Sequence, residues 1–177
     1  MNKLFRISGV LILLILSLYL FSAESFENFT GHKLIAQVSE ADTMEFEVQK
    51  TEEEWRSELS EEEFRVLREK GTERPGTGVY DKFFEKGLYK CKGCDQILFK
   101  SNTKFDAHCG WPSFYDVIDS TKVREITDYS HGMIRTEVVC SNCGGHLGHV
   151  FNDGPNPTGL RYCINSVSIE FEADSTK

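Results

Sequence analysis

Cys91-Lys-Gly-Cys94 and Cys140-Ser-Asn-Cys143 form two Cys-x-x-Cys knuckles, far apart in the chain. A knuckle presents two thiols from one tight turn, and Gly93 and Gly144-Gly145 help the backbone bend there. Four thiolates from two such turns make a closed tetrahedral site with no open position for a substrate. A fold that satisfies the site must bring two distant hairpins together. Structural zinc, one ion per chain, is the expectation. Iron could occupy the same sulfurs, as in small electron carriers. Disulfides within the knuckles are a third reading, but such a bond closes a small strained ring and is usually a redox centre. Neither knuckle opens a helix in a βαβ pattern, as a thioredoxin-like motif would.

The chain has six cysteines, which in an exported protein would ordinarily suggest three disulfides. Four sulfurs committed to metal leave Cys109 and Cys163. One is a candidate nucleophile and the other a candidate resolving thiol.

Cys163 lies in an alternating stretch from Thr158 to Phe171. Alternation is the mark of a strand with two distinct faces. Arg161, Cys163, Asn165, Val167, Ile169 and Phe171 share one face in this reading, and Tyr162, Ile164, Ser166, Ser168 and Glu170 the other. A cation two residues from a thiol favours its thiolate. The alternative is a buried structural Cys in a strand.

The N-terminus is organised differently. Lys3 and Arg6 precede an apolar run from Ile7 to Phe21, followed by Ser22-Ala23-Glu24-Ser25. A basic start, a short apolar stretch and small residues predict an export signal over residues 1–25. The protein is then periplasmic or otherwise extracytoplasmic. Phe21 makes a poor partner for a cut after Ala23, so an uncleaved segment acting as a membrane tether is the competing reading. Residues 26–53 are acidic and polar without a clear period, which reads as a tether, with room for a short helix over Lys33–Val38. The remainder, 54–177, is read as one domain and as a monomer.

Within that domain, Trp55–Lys70 reads as a helix. Ser60 and Glu63 form a capping box, Leu59 and Phe64 a hydrophobic staple, and Gly71 a stop. Beyond it come short strands punctuated by Gly and Pro. They are expected at Gly87–Lys90, Ile97–Lys100, Ser113–Val117, Val123–Asp128, Met133–Cys140, Gly148–Val150 and Arg161–Phe171. The fold class expected is mainly β, with a short helical N-terminal extension.

Two further stretches have the composition of a site. In Cys109-Gly-Trp-Pro-Ser-Phe114, Gly110 and Pro112 place Trp111 on a bend, either as an exposed platform or as a core Trp under a loop. In His146-Leu-Gly-His149-Val-Phe151, two imidazoles can lie beside a cleft or serve as structural histidines, and no third metal ligand of clear type lies nearby. The formal charge is −8, and more negative once the two cations of the leader are set aside. Such a body repels phosphate backbones, so nucleic acid is not expected as a partner.

Arg161-Tyr-Cys163-Ile-Asn165-Ser166, His146-Leu-Gly-His149-Val-Phe151, Cys109-Gly-Trp-Pro-Ser-Phe114 and the two knuckles, in this order, resemble methionine sulfoxide reductase B, the peptide-methionine (R)-S-oxide reductase family. The resemblance covers Trp55 to Phe171. It implies a fold of two antiparallel β-sheets with the zinc clip, Cys91, Cys94, Cys140 and Cys143, away from the active site. It implies reduction of the R epimer of methionine sulfoxide in oxidised proteins or peptides, as repair after oxidative stress. By position, Cys163 matches the nucleophile and Cys109 a resolving Cys that gives a redox-active disulfide, recycled by a thioredoxin-like reductant. Trp111 matches the indole that receives the substrate methyl, and Phe151 an aromatic wall. His146, His149 and Asn165 match polar groups around the sulfoxide oxygen, and Arg161 a cation near the thiol.

Elementary chemistry asks for the same groups. A sulfoxide has a partly positive sulfur and a basic oxygen. Its reduction needs a soft nucleophile, a proton for oxygen, and an apolar slot for the methyl group. Two other classes remain open on sequence. A zinc-clipped β domain that binds peptides without reaction explains the knuckles but not the company of Cys163. An iron-bearing electron carrier would be coloured.

Overall fold

The computed structural model describes residues Glu45–Asp174. The leader, the helix read at Lys33–Val38 and most of the acidic tether lie outside the described residues. Among the described residues, no helix is long and apolar enough to cross a membrane.

Among the described residues two short helices come first, α1 (Glu52–Glu58) and α2 (Glu61–Leu67). The single helix expected over Trp55–Lys70 is therefore divided. Ser60 does form the capping box with Glu63, but it does so by breaking the helix before it. Thr51 and Glu54 build a second capping box one helix earlier. A side chain that satisfies the first free N–H groups of one helix leaves no continuous ladder to the previous one. The second helix also stops before Gly71. Lys70 takes a left-handed conformation, φ 57°, and Gly71 N–H donates to the Arg65 carbonyl.

Nine strands follow: β1 (Gly87–Cys91), β2 (Ile97–Lys100), β3 (Lys104–Phe105), β4 (Ser113–Phe114), β5 (Val123–Asp128), β6 (Arg135–Cys140), β7 (His146–Phe151), β8 (Arg161–Ile164) and β9 (Ile169–Ala173). They form two antiparallel sheets. One has the order β2-β1-β9, the other β3-β4-β8-β7-β6-β5. The mainly β class with two sheets is as expected, and β1, β2 and β5 fall where the sequence places them to within a residue.

The exception is the stretch read as one strand from Arg161 to Phe171. It serves both sheets. β8 ends at Ile164, a 3-10 turn covers Ser166–Ser168, and β9 pairs with β1 in the other sheet. The cause is a carboxylate. Glu73 accepts hydrogen bonds from the N–H groups of Ser166 at 2.6 Å and Val167 at 3.1 Å, so these groups leave the ladder. Alternation survives the turn, and for that reason the sequence hides it. The apolar face of β8 is carried by Tyr162 and Ile164, opposite to Arg161 and Cys163.

The sheets meet through aromatic rings. Phe99 of β2 stacks on Phe114 of β4, with centroids 4.4 Å apart and planes 15° apart. Tyr89 of β1 meets the same Phe114 ring edge-on at 5.0 Å. Trp55, Leu59, Phe64 and Leu67 of the helical segment are buried in the same core. The helices are packing elements, with their acidic face left to solvent.

Candidate active site

The centre of the larger sheet fixes the geometry. In the register of β7 against β8, His149 lies opposite Cys163, and in that of β4 against β8, so does Ser113. Gly148, one residue before His149, allows this close approach, because a Cβ there would sit 2.0 Å from the Cys163 carbonyl oxygen.

Cys163, Asn165, Trp111, His149 and Phe151 line one cleft together with Thr72, Arg135 and Gly148. The cleft volume is about 110 Å³. Trp111 donates its indole N–H to the Glu73 carbonyl at 3.2 Å, which fixes the ring on the bend. Gly110, φ 91°, makes that bend, and a Cβ there would meet Pro75 Cβ at 2.8 Å. Trp111 is therefore a wall of the cleft and not a core residue under a loop.

Cys109 reaches the same place from the other side. Its sulfur is 3.8 Å from that of Cys163 and 3.4 Å from Ser113 Oγ. Burial pushes the Cys163 thiol up to about 12, the neighbouring Cys109 sulfur adds to the rise, and Arg161 opposes it only in part. This corrects the simple inference that a cation two residues away favours the thiolate. Arg161 is engaged elsewhere: its guanidinium makes two 2.9 Å hydrogen bonds to the Asp153 carboxylate and lies over the Phe151 ring at 4.4 Å.

The two histidines differ. His149 Nε2 hydrogen-bonds Asp128 Oδ2 at 2.8 Å. Burial lowers its pKa, with Asp128 pulling the other way. His146 is buried behind the cleft, its ring 5.5 Å from that of His149, and its Nδ1 hydrogen-bonds Glu137 Oε1 at 2.8 Å. Burial would raise the Glu137 pKa, but His146 and Lys70 outweigh it and hold the carboxyl below its usual value. A carboxylate on Nδ1 leaves Nε2 as the atom available for chemistry. Among the described residues, the buried side-chain nitrogens and oxygens without a hydrogen-bond partner are His146 Nε2 and Arg135 Nε, both at this site. Asn165 is held from two sides, accepting from Glu73 N–H at 3.0 Å and donating to the Leu147 carbonyl at 3.1 Å.

The four knuckle sulfurs lie within 4.8 Å of one another. Cys91 and Cys143 are 3.7 Å apart, and Cys94 and Cys140 3.6 Å. A tetrahedron with about 2.3 Å metal–sulfur bonds has an edge of about 3.8 Å, so the donor set fits one tetrahedral ion. Cys91 ends β1 and Cys140 ends β6, so such an ion would join the two sheets.

A SelR-domain family model matches residues 59–173. The chain belongs to the SelR-domain family. It is 58% identical over 125 residues to the peptide methionine sulfoxide reductase MsrB of Agrobacterium fabrum, covering 71% of this chain and 93% of that one. It is 54% identical over 131 residues to the protein of the same name from Leptospira interrogans, covering 74% and 100%. The Methanosarcina barkeri protein of that name is 60% identical over 129 residues, covering 72% and 89%. The family inferred from the motifs is thus the family found.

Sequence reasoning missed several residues of this SelR site. Glu137 gave a signal, a carboxylate set before Val138-Val139 in a core strand. Asp128 and Glu73 gave none, because what they hold is distant in the chain, and Arg135 and Thr72 reach the cleft only through the fold.

Proposed function

We propose that the chain is a peptide-methionine (R)-S-oxide reductase that acts through Cys163. The observation that carries this reading is the convergence of two non-knuckle thiols, 3.8 Å apart, beside a cleft walled by Trp111 and Phe151. The substrate methyl packs on the Trp111 face. The sulfoxide oxygen turns toward His149 and Asn165, with His146 behind them.

The Cys163 sulfur attacks the sulfoxide sulfur, and the thiol proton ends on the oxygen. The S–O bond of the substrate breaks as the oxygen passes to Cys163. Methionine leaves, reduced by two electrons, and Cys163 becomes a sulfenic acid. Cys109 then attacks that sulfur, releasing water and forming a Cys109–Cys163 disulfide. A thiol kept neutral by burial brings its own proton to the reaction, and His149, its Nε2 turned to Asp128, relays it from Nδ1. Arg161, tied to Asp153, favours the developing thiolate from a fixed position.

Zinc is the metal for the four-sulfur clip, which supplies structure alone. The leader read from the sequence puts the enzyme outside the cytoplasm. Its reductant is then a thioredoxin-like protein of that compartment, reached by thiol–disulfide exchange at the half-buried pair.

The test is turnover of a peptide carrying either sulfoxide epimer, with dithiothreitol as reductant. The R epimer is expected to be consumed and the S epimer left. Equal consumption of both, or of neither, would contradict the reading.

A further inference from the structure

A cleft of about 110 Å³ holds a side chain and little else, so a polypeptide that offers methionine sulfoxide must lay its neighbouring residues on the rim. The rim has one conspicuous apolar element. Five large hydrophobic residues are exposed among the described residues, and Tyr129, Met133 and Ile134 stand together on the turn between β5 and β6. Tyr129 is 72% exposed and Ile134 78%. Exposed apolar residues scattered singly need no explanation, but a cluster beside a site marks an interaction surface.

The turn is continuous with the cleft at both ends. Asp128, which precedes it, holds His149, and Arg135, which follows it, lines the cleft. The base is braced, with Arg135 donating to Asp128 Oδ2 at 2.7 Å and to Ser130 Oγ at 3.1 Å. His131 and Gly132, at φ 55° and 70°, close the tip tightly.

Strand order decides which partner meets this surface. Across the sheet the sequence is β4, β8, β7, β6, β5. Cys109 approaches Cys163 from the β4 side, through Ser113. The turn lies on the opposite side, beyond His149. A reductant attacking the disulfide through Cys109 therefore comes from one flank, while the Tyr129–Ile134 turn borders the other.

Building on the reductase reading, we propose that the Tyr129–Ile134 turn is a substrate-docking rim that selects polypeptides with apolar side chains next to the sulfoxide. Substrates of that class are segments whose methionine was once buried, exposed by partial unfolding.

The test compares a Tyr129→Ser/Ile134→Ser double variant with the wild type, using dithiothreitol so that no protein reductant is involved. Three substrates are used: N-acetyl-methionine (R)-sulfoxide amide, a peptide with Leu and Phe beside the sulfoxide, and one with Ser and Gly there. The double variant is expected to lose about tenfold in kcat/KM on the apolar peptide through KM, and nothing on the other two. Phe84→Ser, exposed elsewhere, is expected to change none of them. An equal loss on all three substrates, or none on the apolar peptide, would overturn the docking rim while leaving the reductase reading in place. A loss confined to a parallel assay with a thioredoxin-type reductant in place of dithiothreitol would overturn it too, assigning the turn to the reductant. No turnover by the wild type on any substrate would remove the reductase reading and the rim with it.

Discussion

Cys109 and Cys163 face each other with sulfurs 3.8 Å apart, although four strands and the second knuckle separate them in the sequence. A disulfide needs about 2 Å, so small movements of the two side chains close the pair. Cys109→Ser should permit one turnover and stop at the sulfenic acid. Steady-state turnover with a thioredoxin-type protein should fall by roughly tenfold or more. Unchanged turnover in that assay would remove Cys109 from the cycle.

The pH dependence of Cys163 alkylation follows from its burial. With the thiol pushed up to about 12, its reaction with iodoacetamide should climb steadily from about pH 7 to 10 without a plateau. Cys109→Ser removes a neighbour that adds to the rise, so the profile should move to lower pH. Site-resolved mass spectrometry reads both. A plateau near neutrality would mean that the resting enzyme carries a thiolate.

Asp128→Asn tests the histidine. Burial lowers the His149 pKa and Asp128 resists that, so removing the carboxylate should lower it further. NMR titration of the ring should show the downward shift, and an upward one would contradict the assignment. The same shift bears on stability. The folded imidazole titrates below its ordinary value of about 6.5, so the unfolded chain takes the proton first. This contribution is intact above that value and is lost as pH falls through the window down to the folded pKa.

Much of this site was legible in the chain, and the limits have a physical origin. The knuckles, Cys163, Trp111 and the two histidines are picked out by their own side chains, and the structure brings Cys163, Trp111 and His149 to one cleft, with the His146 ring beside His149 and the four knuckle sulfurs in a group of their own. Asp128 and Glu137 act by what they hold, and although a carboxylate in a core strand marks Glu137, no local pattern names the partner of either across the sheet. The break after β8 failed for a related reason. Ser166-Val-Ser168 alternates as well as any strand, and only the carboxylate of Glu73, far back between the helices and β1, takes its N–H groups away. The division of the helical segment shows the opposite case. The capping box at Ser60 is visible in the sequence, but the periodic apolar face that runs through it hides the interruption it makes.

Glu73→Ala should therefore cost more than a surface substitution. It leaves the buried Ser166 N–H and the half-buried Val167 N–H without this acceptor, at a cost of roughly 1–3 kcal/mol, most of it from Ser166. The Glu73 main chain still holds Trp111 and Asn165, so kcat/KM should fall through loosened geometry and not through lost chemistry. Chemical denaturation and steady-state kinetics check the pair, and wild-type stability would show that water replaces the carboxylate.

Metal removal tests the clip. Incubation with a strong chelator should lower Tm by roughly 10 °C or more, because an ion held by the four sulfurs would join two sheets and its binding energy would be folding energy. Re-addition of zinc should restore Tm, and an unchanged Tm after verified metal loss would leave the four sulfurs without a structural role.

The most direct test is a single turnover without reductant, followed by peptide mapping. R-sulfoxide substrate should yield one methionine per wild-type chain and a Cys109–Cys163 bridge, while Cys109→Ser should carry a dimedone adduct on Cys163 alone. Methionine formed by Cys163→Ser, or an adduct on a knuckle cysteine instead, would contradict the mechanism.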